Sequence, residues 1–117
     1  TGKAAYDLYL TRTLKHAQLF RTGDAVATFK QFVDEKMDAL AGLRSQLEID
    51  CEKMPGSRIL PGRFTAVVQA AGTPRAHAAG ARYLAEFIEE MKASGFVAKA
   101  IANNKIRGLT VAAPAAR

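Results

Sequence analysis

The residues able to do chemistry are few: two histidines, one cysteine and some clustered acids. His16 falls at a helix-to-strand boundary and His77 in the first turns of a long helix. Neither has a Ser, Cys or Asp at a spacing that makes a nucleophile–base pair. Cys51 stands alone, which excludes an internal disulfide and a cysteine-based metal site. Asp34, Glu35 and Asp38 gather near a helix end. Glu48, Asp50 and Glu52 alternate along a short helix, so they point to different faces and are expected to be mostly solvated. Dinucleotide, P-loop, nucleophile-elbow and zincin motifs are absent. The expectation is a protein with no catalytic residues, no metal and no cofactor.

One stretch suggests ligand chemistry. Gly2-Lys3-Ala4-Ala5 stands where a strand would hand over to a helix N-terminus. Free backbone N–H groups and the positive end of the helix dipole make such a junction a cradle for an anion. Small residues admit a ligand to the backbone, and Lys3 adds charge.

The elements that must position these residues follow from periodicity and turn chemistry. A helix is expected from Ala4 to Lys15, with Tyr6, Leu10 and Leu14 on one face. Ala17–Phe20 reads as a strand. Asp24 caps a second helix whose apolar face is Val26, Phe29, Phe32 and Val33, running to about Lys36. Asp38–Gly42 reads as a buried strand, Arg44–Glu52 as a short helix, and Ser57–Leu60 and Arg63–Ala70 as extended segments around Pro61-Gly62. Thr73-Pro74 has the form of a helix cap followed by a first-turn proline. The helix it opens carries Tyr83, Leu84, Phe87, Ile88 and Met91 on one stripe. Ser94-Gly95 breaks that helix, and a last short one ends near Asn103-Asn104. Alternation of helix and strand implies an α/β layer with parallel pairing. The strand that should precede the first helix is missing, and the chain starts at Thr1 without a methionine, so a trimmed leader or a cut boundary is expected.

Composition narrows the partners. With 117 residues, 49% hydrophobic and 24% charged, one compact globular domain is expected, and no stretch is long and apolar enough for a membrane span. The formal charge of +6 invites a nucleic-acid reading. Its placement argues against one, because cations interleave with acids, as in Asp34-Glu35-Lys36 and Glu89-Glu90-Met91-Lys92, and Trp is absent.

Three stretches resemble the family 3 extracellular solute-binding proteins, the group that includes periplasmic amino-acid binders. They are Gly2–Arg12, Phe32–Gly42, and Gln69 through Gly72-Thr73-Pro74 into Tyr83–Phe87 and Met91–Phe96. The resemblance implies the C-terminal half of a clamshell: an α/β periplasmic-binding-protein type II lobe, a mostly parallel sheet flanked by helices, lacking its first strand and most of the first lobe. Residues 1–64 would be the incomplete second lobe, 65–69 a hinge crossing, 70–109 a return segment packing on the first lobe, and 110–117 a disordered tail. It implies a non-enzymatic, periplasmic component of an ABC importer that closes on a small solute and delivers it to a permease. The ligand-side positions would be Gly2, Lys3, Gly42, Leu43, Arg44 and Gln69. Where the family usually places an ammonium-binding Asp, this chain has Leu43, so Lys3 and Arg44 would favour an anionic solute. Two other readings are a dehydratase-like enzyme on the same scaffold and a stand-alone basic interaction domain. The stripe of Tyr83, Phe87 and Met91, uncovered without a first lobe, predicts a homodimer or domain-swapped species.

Overall fold

A computed structural model describes residues 1–115. They form five helices: α1 Ala5–Thr13, α2 Ala25–Asp34, α3 Arg44–Lys53, α4 Ala78–Ala93 and α5 Phe96–Asn103. No strand forms among the described residues. The expected α/β fold with a parallel sheet is therefore replaced by an all-helical one. The correction also removes the structural ground for a transport component of the periplasmic-binding-protein type.

The reason lies in the segments expected to be strands. Ala17–Phe20, Asp38–Gly42, Ser57–Leu60 and Arg63–Ala70 run as irregular backbone without a ladder. They are short, and Asp38–Gly42 is composed of Asp, Ala and Gly around one Leu, types depleted in strands. A strand exists only when a neighbour pairs with it, and parallel pairs are the less stable kind. Arg63–Ala70 carries strand-favouring Phe64, Thr65, Val67 and Val68 yet stays irregular, because no second run pairs with it.

The helices follow local rules more closely. Asp24 caps α2, its side chain accepting from the Ala27 N–H at 2.8 Å. Gly95 separates α4 from α5 in the left-handed conformation at φ 78°, a region glycine enters without the Cβ penalty. Thr73-Pro74 does not cap α4. The Pro74 carbonyl accepts from the His77 N–H at 3.0 Å, closing a turn, and the helix starts at Ala78.

The chain divides into two units, Thr1–Val67 and a second that begins at Val68. In the first, the start of the chain is fastened to the segment before α2. The Gly2 N–H donates to the Thr22 carbonyl at 3.0 Å, and the Thr1 and Thr28 hydroxyls lie 3.1 Å apart. Tyr9 and Phe64 meet with ring centroids 5.7 Å apart. In the second unit α5 packs on α4. Beyond α5 the chain is irregular, and Ala113 and Ala115 are held to α4. Lys92 Nζ donates to the Ala113 carbonyl at 2.8 Å, and the Ala115 N–H donates to Glu89 at 3.4 Å. The expected disordered tail also includes residues 116 and 117, which lie outside the described residues.

Burial is unusual. Among the described residues the only two buried side chains are acids, Asp7 and Asp50, and no hydrophobic one is buried. Val26, expected on the inward face of α2, is 80% exposed.

Candidate functional site

The first unit holds a cleft of about 150 Å³. One wall is the turn leading into α3, Leu40–Leu43, together with Leu47. Polar groups enter from three other places: Thr1 and Tyr6 at the chain start, Thr28 on α2, and Gln46 and Asp50 on α3. The turn can approach α3 because residue 42 is a glycine. A Cβ there would lie 3.2 Å from a Leu47 methyl carbon. Leu43 then starts α3, its carbonyl accepting from the N–H groups of Gln46 at 3.0 Å and Leu47 at 2.9 Å.

Asp50 is the one acidic or basic side chain among the residues lining this cleft. It is 5% exposed and accepts from Gln46 Nε2 at 2.9 Å, one helical turn earlier. Lys53 Nζ stands 3.7 Å away but is itself 57% exposed, so its charge is largely screened by solvent. Lys53 also lies over the Phe29 ring, 5.8 Å from its centroid. Asp50 is buried, whereas Glu48 is half-buried and Glu52 exposed.

The expected ligand-side residues divide into three groups. Gly42 and Leu43 line the cleft. Gly2, Lys3 and Arg44 do not line it. The Lys3 N–H donates to Asp7 at 2.9 Å, and Lys3 takes a left-handed backbone at φ 66°. Arg44 donates to the Gly62 carbonyl at 2.5 Å, tying α3 to the Pro61-Gly62 turn. Gln69 belongs to the second unit, where it borders a groove of about 380 Å³ beside α4.

The anion cradle expected at Gly2–Ala5 is filled from within the chain. Asp7, in the first turn of α1, accepts from the Lys3 N–H and from Arg21 Nε at 2.8 Å. Arg21 also donates to the Thr11 hydroxyl at 2.7 Å. The backbone hydrogen bond from Lys3 is the main reason the Asp7 carboxyl lies below its usual pKa; Arg21 pulls the same way and burial opposes them. An acid in the first helical turn was the available signal for this arrangement.

Among the described residues no group of His, Cys, Asp and Glu is placed to hold a metal ion. No helix among them is long and apolar enough to cross a membrane. Comparison of the chain with protein-family models, with curated proteins and with solved structures returns no match.

Proposed function

We propose that the chain captures a small polar solute in the cleft of its first unit and does not transform it. The observation that carries this reading is the position of Asp50, a buried carboxylate on the wall of a cleft otherwise lined by hydroxyl, amide and apolar groups. A second anion brought beside Asp50 would be repelled in a poorly solvated site, whereas a positively charged end would gain a charge-assisted hydrogen bond. The solute is therefore read as one with an ammonium or similar cationic group. The volume suits a few heavy atoms, well below the 300 Å³ or so of ordinary drug-sized sites.

Isothermal titration of the chain with small alkylammonium compounds, neutral amino acids and dicarboxylates tests this. Binding of an ammonium compound, weakened about tenfold or more in Asp50→Asn, is the expected result. Preference for dicarboxylates, or ammonium binding indifferent to Asp50→Asn, would overturn it.

A second reading, a basic interaction domain, is favoured by one observation. Large apolar side chains are widely exposed in the second unit, including Tyr83 at 71% and Phe96 at 61%.

A further inference from the structure

Three threonine hydroxyls meet beside the cleft of the first unit, and their bonds fix which way the protons run. Thr1 and Thr28 line the cleft. The Thr28 hydroxyl donates to the carbonyl of Asp24, the cap residue of α2, at 2.7 Å, the back-bond open to a helical threonine. It also meets the Thr22 hydroxyl, and the Thr1 hydroxyl stands 3.1 Å away. A threonine hydroxyl has one proton and two lone pairs. The Asp24 carbonyl and Thr22 are both nearer to Thr28 than Thr1 is, so the Thr28 proton goes to one of them. The bond between Thr1 and Thr28 must then take its proton from Thr1. With that proton spent, the Thr1 oxygen can only accept from anything that enters the cleft. The chain start is also held in place. The Gly2 N–H donates to the Thr22 carbonyl at 3.0 Å, and a Cβ on residue 2 would stand 3.3 Å from that oxygen.

We infer that Thr1 is a specificity-determining residue of the cleft, selecting cations that carry N–H groups over quaternary ones. The inference rests on the proposed capture of a cationic solute beside Asp50. Asp50 and Thr1 then present two acceptors to a space of about 150 Å³, which holds only a few heavy atoms. A primary ammonium has three donors, one for the carboxylate and another for the Thr1 oxygen. A quaternary ammonium has the same charge but no donor, so it sets a methyl group against that oxygen and forfeits the bond. Thr28 spends its own proton within the chain and acts as a positioning residue, holding the proton of Thr1.

Isothermal titration with tert-butylammonium and tetramethylammonium tests this, because the two cations match in charge and in number of heavy atoms. The wild-type chain should prefer tert-butylammonium. Thr1→Val should cut that preference about tenfold, the worth of one hydrogen bond to a charged group, by weakening tert-butylammonium alone, and Thr1→Ser should restore it. A change that merely disturbed the wall would weaken both cations alike. Equal wild-type binding of the two cations would overturn the role of Thr1, as would a Thr1→Val chain that keeps the wild-type preference or loses both cations together. The reading built on Asp50 survives those results if Asp50→Asn still weakens binding. Binding of neither cation, or binding indifferent to Asp50→Asn, would overturn that reading and this inference with it.

Discussion

Replacing Gly95 with alanine isolates the cost of one backbone conformation. Gly95 is left-handed at φ 78°, and nothing lies within 4 Å of where a Cβ would stand, so no steric clash enters. A residue with a Cβ costs about 1–2 kcal/mol in this conformation. Alanine returns about 0.4–1 kcal/mol by restricting the unfolded chain. The balance is a loss of about 1 kcal/mol, roughly a fivefold change in the folded-to-unfolded ratio. The loss bears on two helices, because the Gly95 N–H bonds to the Lys92 carbonyl at 3.3 Å while its carbonyl accepts from Lys99 at 3.0 Å. Gly95→Asn should recover more than half of it, since asparagine tolerates the left-handed region. Urea unfolding followed by the helical circular-dichroism signal reads the difference as a lower midpoint at unchanged slope. A Gly95→Ala chain as stable as wild type, or an Asn variant as weak as the Ala one, would refute the reasoning.

Asp24→Ala removes the cap of α2 and should cost about 1 kcal/mol in the same assay, with Asp24→Ser close to wild type. Acid should act through Asp7 and Glu89. Both carboxyls have folded pKa values below their ordinary 3.8 and 4.5, Asp7 chiefly through the Lys3 N–H and Glu89 chiefly through Lys92. A depressed carboxyl contributes stability that is complete above its unfolded pKa and is lost as pH falls through the folded one. The helical signal should therefore hold from neutrality to about pH 5 and decline below about pH 4, with Arg21→Gln reducing the Asp7 share of that acid sensitivity.

Features set within a few residues were legible in the sequence. Asp24 marked the start of α2, and Ser94-Gly95 marked the break between α4 and α5, because caps and left-handed glycines act over one turn. Thr73-Pro74 shows the limit of the same grammar. The pair suits a helix start, but the chain forms a turn to His77 before the helix begins. The strand expectations failed for a different reason. Ala17–Phe20 and Asp38–Gly42 have boundaries like strands, yet a strand is a property of two segments, and nothing in either run specifies its partner.

The cleft shows why the charge of a site is harder to read than its position. Gly42 and Leu43 were named from the resemblance to a clamshell lobe, and they line the cleft although the fold that pointed to them is absent. The sign of the ligand was expected from Lys3 and Arg44, the cations nearest in sequence, in a chain with a formal charge of +6. Neither residue lines the cleft: Lys3 serves Asp7 through its backbone N–H, and the Arg44 side chain holds the Gly62 carbonyl. Asp50 could be seen only as one of three acids along α3, and spacing alone could not distinguish them. Its bond from Gln46 is local, but the cleft it lines is also built from the Leu40–Leu43 turn, Thr1, Tyr6 and Thr28, which spacing along α3 does not reveal. A surface charge is worth little and a buried one a great deal. In the proposed reading the one buried acid lining the cleft therefore counts for more than the net positive charge of the chain.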